Sequence, residues 1–392
     1  VYRDIYVDVN GDDSAEGDKG NPFATLTRAQ EEIRKINGGM TGDIVVHLGE
    51  GTFRLNDRML FTTEDSGKNG YNVIWQGAEG DKTAISGGEQ IGSFKESAEY
   101  EGVWETSVPQ FDTILQLSVN GDVRYVAKSA NLVKGLPRND EIYNDAYYKQ
   151  HPEDQMKEHK YYYVDPNTPY LADGIYMSKR DIGFYENQED ILFKADLHWI
   201  SRIIPLQSIE QDPNDAEQVI VRMKNPLFSG DINTDDSTEV RFNPKRGFTM
   251  MNAMELLDEP GEFYFNRKTK KLYYIPEENE NMSTAEVVVP KLENLITIVG
   301  NDIDDKVINL VFNGITFRDT KFDYMNGGFG DQADVNNTPR IYGKGFSGVE
   351  VSYADNINFS DNVFKCLSGS ALRLLNACRN CNVSGNVFYD IG

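Results

Sequence analysis

Cysteine, histidine, positive charge and long apolar runs are all in short supply in this 392-residue chain, and each shortage removes a class of function. Three cysteines cannot build a complete disulfide framework. Cys378-Arg379-Asn380-Cys381 has the spacing of half a zinc ribbon, but no second pair or nearby histidine completes it. Aligned coils put Cys366 and Cys381 on the inward-pointing phase, so the thiols read as buried and apolar. Of the four histidines, His47, His151, His159 and His198, no two have ligand spacing beside a carboxylate, so a metal hydrolase is a poor reading and neither metal nor cofactor is expected. Basic residues number 39 against 63 acidic, a formal charge of −24, which argues against nucleic acid as a partner. A neutral or weakly charged partner fits that balance better. No apolar run approaches the ~20 residues that a helix needs to span a bilayer, so no membrane insertion is expected.

What the chain does have is repetition. Phe312-Asn313-Gly314-Ile315-Thr316-Phe317 is echoed by Phe359-Ser360-Asp361-Asn362-Val363-Phe364 and again by Val383-Ser384-Gly385-Asn386-Val387-Phe388. Phe364 and Phe388 lie 24 residues apart, and Phe317 and Phe364 lie 47 apart, close to twice that. Alternating apolar residues punctuated by Asn/Gly turns at such a period mark a solenoid whose coils must stack to bury their apolar faces. The expected fold is all-β: a right-handed parallel β-helix, whose long strand-lined surface suits an extended polymer. Asn362 and Asn386 recur at one place in successive coils, with Asn313 near the corresponding turn, and read as a structural ladder of amides.

The repeat is interrupted. Residues 1–95 open with a strand at Asp4–Val9, then an amphipathic helix from Thr25 to Ile36 placing Leu26, Ala29, Ile33 and Ile36 on one face. Thr27 and Gln30 suggest a capping box, and the helix is placed to cover the open end of the solenoid core. Strands at Asp43–Leu48, Met59–Thr62, Val73–Gln76 and Thr83–Ile85 form the first coils. Over residues 96–288 the rhythm gives way to short strands and Tyr-rich loops, the pattern of an inserted antiparallel β-sandwich-like domain; Tyr143 to Tyr163 is its least regular part. Coils resume at Val287-Val288-Val289 and run through residues 289–392. The chain ends inside a coil, without the polar cap a solenoid needs, so a continuation past Gly392 is expected, and the lack of an initiator Met fits a processed secreted protein as well as an excised chain.

Several constellations are candidates for chemistry. Asp8-x-Asn10-x-Asp12 begins like a calcium loop, yet Asp13 stands where Gly is required and Lys19 where Glu is, so a strand-ending turn is the better reading. Glu350 and Arg373 each sit between two inward apolar residues and become neighbours on one sheet face, either as a surface ion pair or as polar groups facing substrate. His198 and Trp199 are candidates for a sugar pocket, or for ordinary packing. Arg318, Asp319, Asp323, Asp331 and Asp334 flank a long Gly/Asn loop, Lys321 to Gly345, of the kind that carries function in a regular scaffold.

The motifs also carry a resemblance. Tyr6-Val7-Asp8-Val9-Asn10-Gly11-Asp12-Asp13 followed by Asn21-Pro22-Phe23-Ala24-Thr25-Leu26 resembles the opening of secreted right-handed β-helix carbohydrate enzymes, as do Gly49-Glu50-Gly51-Thr52-Phe53-Arg54-Leu55, Glu64-Asp65-Ser66-Gly67 and Ile85-Ser86-Gly87-Gly88. The stretch from Asn252 through Glu259-Pro260-Gly261-Glu262-Phe263-Tyr264 to Leu272-Tyr273-Tyr274-Ile275-Pro276, together with Trp199-Ile200-Ser201-Arg202, resembles the insertion domain of glycoside hydrolase family 141. That resemblance implies a secreted, periplasmic or cell-surface enzyme acting on fucoside or xylan-type linkages of plant or microbial polysaccharide, with the family's catalytic carboxylates in coils further along than residue 392. Hydrolysis needs two carboxyl groups, and Asp390, ending the last coil before a glycine, is the best acidic candidate inside the chain. The expected partner is an oligo- or polysaccharide, bound by a monomer. A non-catalytic glycan-binding adhesin and a calcium-dependent polysaccharide lyase are the alternatives, the latter having only Glu350 and Arg373 to draw on.

Overall fold

The computed structural model describes residues 1–80, 82–136, 162–164, 172–183, 185–196, 200–224, 247–322, 329–332 and 347–392. It is nearly all-β, with one α-helix among the described residues. Three parallel sheets run side by side. The first holds Arg3–Val7, Ile44–Leu48, Val73–Gln76, Val307–Asn313, Ala354–Ser360 and Asn382–Ser384; the second holds Gly51–Arg54, Thr83–Ser86, Thr316–Arg318, Val363–Leu367 and Val387–Ile391; the third holds Met59–Phe61, Ile296–Val299, Ser347–Ser352 and Ser370–Leu374. The chain visits them in the order first, second, third, then returns one rung along.

Period-2 alternation explains these strands. Ile44, Val46 and Leu48 are buried while Val45 and His47 face outward, and the same phase recurs at Ile296 and Ile298. The inward residues form one continuous core. Like residues stack on like: Phe317 on Phe364 inside it, and Phe364 on the exposed Phe388, ring on ring at 4.9 and 4.8 Å, while Phe312 lies on Phe359 at 5.1 Å. Such offset stacking adds to the burial of each ring.

The helix Leu26–Ile36 covers this core at the Arg3–Val7 end, burying Leu26, Ala29 and Ile33. Its N-cap is Thr25, whose side chain accepts from the Arg28 amide, so the cap lies two residues before the expected Thr27. Asp13 decides the difference, accepting from the Ala24 and Thr25 amides and the Thr25 hydroxyl. Asp8 and Asp12 are spent on local turns, accepting from the Asn10 and Ser14 amides at 2.9 Å each.

Between the second and third sheets the chain leaves the stack twice. The longer excursion contains two largely antiparallel sheets that share a core built from Ile175, Phe193, Ile204, Val221 and Phe248 on one side and Tyr264 and Tyr273 on the other. The Val287-Val288-Val289 run, expected to be a returning coil, belongs to this excursion instead. It pairs antiparallel with Gly88–Ile91 and with Leu117–Val119, and parallel pairing resumes at Ile296–Val299. A strand buried on both faces reads as an unbroken apolar run in either setting, so sequence could not separate the two. The second excursion leaves after Arg318 and returns at Ser347; within it Phe329–Gln332 pairs with Ile200–Ile203 of the first.

Candidate functional site

Both excursions leave from one corner, and a pocket of about 220 Å³ lies there between the second parallel sheet and the inserted hairpin. The hairpin joins Leu117–Val119 to Asp122–Val126 through Asn120-Gly121, both left-handed at φ 53° and 85°. That pair is the favoured two-residue turn for twisted strands. It brings Gln116, Ser118 and Tyr125 to the pocket wall, opposite Asp319, Cys366, Ser368 and Asp390.

The opposite wall is made by a column of left-handed residues. Arg318 pairs with Lys365, and Lys365 with Tyr389, so the residues that follow, Asp319, Cys366 and Asp390, occupy one place on successive rungs. Their φ values are 64°, 52° and 53°. Non-glycine residues adopt this region rarely, and three at one place show that the corner itself demands it. One left-handed residue breaks the in–out alternation. Cys366 is therefore a correction to the sequence reading: it is buried, but it leaves the core of the stack and its Sγ approaches the Gly121 carbonyl at 3.3 Å. Burial, reinforced by the nearby Asp319 charge, pushes this thiol up to about 12. Cys378 and Cys381 do pack against the core, half-buried.

Asp319 is inaccessible to water and accepts three hydrogen bonds, from Ser86 Oγ at 2.6 Å, Arg318 Nε at 2.8 Å and Ser118 Oγ at 3.0 Å. Ser86 belongs to the parallel stack and Ser118 to the inserted sheet, so one carboxylate ties the two together. Burial opposes the Arg318 charge, but Asp319 and then Glu286 outweigh it and hold the guanidinium above its ordinary value. Glu286 also takes Arg54 at 2.6 Å. Asp390, by contrast, is exposed, and no hydrogen bond or ion pair engages its carboxyl among the described residues. Two strand spacings separate the Cα atoms of Asp319 and Asp390, about 9.5 Å.

Of the residues singled out from sequence, Asp390 lines this pocket. Glu350 and Arg373 are register partners on adjacent strands, as expected, but of the third parallel sheet, whereas Asp390 is on the second; the two candidates are not joined into one site. His198, Trp199, Asp323 and Asp334 lie outside the described residues, as does most of Tyr143 to Tyr163, and Asp331 is placed only as backbone in Phe329–Gln332. Sequence reasoning missed the column itself. The signal was available: positions 319, 366 and 390 repeat the 47- and 24-residue spacing of the phenylalanine ladder.

Comparison with known proteins adds three findings. Residues 237–277, which include the paired strands Glu262–Asn266 and Lys271–Tyr274, match the family model of the GH141 insertion domain. No curated protein sequence matches the chain. Among solved structures, one described as "Glycoside hydrolase" superposes with a TM-score of 0.70 at 21% identity, over 94% of this chain and 63% of its own; a complex of XylC with xylose reaches only 0.34 at 10% identity, over 99% and 54%, and carries no argument. At such identity the first likeness shows a shared fold. The chain spans under two thirds of the length of that glycoside hydrolase.

Proposed function

We propose that this chain is a glycoside hydrolase of plant or microbial polysaccharide, built on a right-handed parallel β-helix and exported from the cell, with fucoside and xylan-type linkages its first candidates. In this reading the β-helix part is the stack of parallel strands up to Ser86 and again from Ile296 onward, and the inserted domain, which takes in Gly88–Ile91 and Val287–Pro290, lies between. The observation that carries it is the placement of Asp390: an unengaged carboxyl at the corner where the inserted hairpin walls a groove off the strand surface. The matched insertion domain and the shared fold support the same class.

Glycosidic cleavage needs one carboxyl to protonate the departing oxygen and another to activate water or attack. Asp390 is proposed as one of these two carboxyls; Asp319, the other acid in the pocket wall, has its oxygens engaged, so the pocket itself supplies one of the pair. Asp319 is a positioning residue: its oxygens are occupied by Ser86, Ser118 and Arg318, which holds the hairpin against the stack and fixes the height of Tyr125. That ring is 60% exposed beside the pocket, and an exposed aromatic face there can stack on a sugar. Incubation of the chain with a panel of fucosylated, xylan and pectic glycans, read as released reducing sugar and fucose, tests the proposal. Release from any member supports it. Binding without release from every member replaces it with the non-catalytic glycan-binding reading.

A further inference from the structure

A second, larger cleft of about 630 Å³ adjoins the Asp390 pocket, with Pro290 in the wall of both. Its charge is inverted relative to the molecule. The chain carries 63 acidic against 39 basic residues, yet Arg267, Lys270, Lys291 and Lys321 line this cleft against a single carboxylate, Asp112. Three of the cations are held in place: Lys270 by Asp112 at 3.0 Å and the Phe111 carbonyl at 2.9 Å, Lys291 by Glu89 at 3.1 Å, and Arg267 by the buried Asp190 at 3.0 Å. Lys321 has no carboxylate partner among the described residues. The side chain of Asp112 is fully exposed, so its pairing is screened and worth little. A ligand anion can replace it.

Two contacts fix the cleft relative to Asp390. Gln116, from the wall of the smaller pocket, donates to the Phe322 carbonyl at 2.9 Å and accepts from the Phe322 amide at 3.1 Å, which pins Lys321 at the mouth. Lys270 occupies a left-handed turn position, φ 57°, whose preceding amides are taken by Asn266. Cations already positioned lose little freedom when an anion arrives, and the excess of cations over the one carboxylate in the lining favours an anion.

We propose that this cleft is a subsite for the acidic groups of a glycan, so that the substrate is a carboxylate- or sulfate-bearing polysaccharide even though the whole chain is strongly acidic. Placement of the scissile bond over Asp390 rests on the hydrolase reading; anion binding does not. The test is affinity electrophoresis of the full chain at low ionic strength in gels holding polygalacturonate, dextran sulfate or neutral xylan, alongside the double variant Lys291→Glu/Lys321→Glu with its thermal midpoint checked. Retardation by polygalacturonate or dextran sulfate, weakened at least about tenfold in the variant and by raised salt, is the expected result, and whichever polymer retards more strongly identifies the anion. No retardation by either anionic polymer, or retardation that the variant retains, overturns the subsite. Because the readout needs no turnover, inactivity on every glycan would remove the hydrolase reading alone, and hydrolysis of neutral glycans without anion binding would remove only this one.

Discussion

At Asp319 three donors converge on one carboxylate that water does not reach. Removing its charge leaves the buried Arg318 with only the more distant Glu286, at 3.6 Å, as a carboxylate partner, and breaking a buried pair from one side costs up to about 3–5 kcal/mol. Asn tolerates the left-handed backbone at this position, so Asp319→Asn isolates the charge from the strain. Urea unfolding should show that loss, whereas a cost under about 1 kcal/mol would mean the pair is a solvated one. Cys366 offers a second check. Its thiol titrates near 9.0 when unfolded and about 12 when folded, so the folded protein keeps the proton that the unfolded chain gives up. The resulting stability is present below pH 9 and is lost as pH rises from about 9 toward 12. At pH 8 the native protein exposed to iodoacetamide should therefore carry label at Cys381 before Cys366; prompt labelling of Cys366 would contradict its placement.

The strands and turns owe their register to asparagines as much as to the apolar ladder. Asn362 Oδ1 accepts from the Ile315 amide at 3.0 Å, while its Nδ2 donates to the Phe312 carbonyl at 2.9 Å and to Asn386 Oδ1 at 3.0 Å. Asn356 and Asn309 form a second ladder at 2.8 Å, both left-handed at 54° and 59°. Asn362→Ala should cost about 2–3 kcal/mol by calorimetry or urea titration, since it strands a buried amide and a buried carbonyl; a neutral outcome would show that water replaces the amide.

Much of this was legible beforehand, because a 24-residue period with matching apolar phases leaves few alternatives. Val73–Gln76 falls where alternation puts it, and Met59–Phe61 and Thr83–Ser86 fall within a residue of it. What stayed hidden depended on distant partners. Thr25 outcompetes Thr27 as the cap through Asp13, twelve residues earlier, and Val287–Pro290 takes its pairing from strands some 170 to 200 residues away, close to the gaps between Val119 and Val287 and between Ile91 and Val287. The corner column was hidden because a left-handed residue reverses the alternation on which the reading of Cys366 relied.

For the molecule as a whole, the core of the stack and the core behind the inserted hairpin come together at one corner, where Leu367 of the first and Leu117 of the second line the same pocket. That corner joins a shaped pocket, an exposed ring at Tyr125 and the unengaged carboxyl of Asp390 on otherwise regular strands. Net charge described the surface but not this place, since the cations of the adjoining cleft are a small minority of the charged residues. In the proposed function Asp390 reacts while its surroundings bind. The most direct measurement is hydrolysis by Asp390→Asn beside the unaltered chain on the best glycan of the panel, with binding of that glycan followed by calorimetry. The account predicts a fall in kcat/KM of about 10²–10⁴-fold with affinity within about threefold. Undiminished hydrolysis by the variant would contradict it.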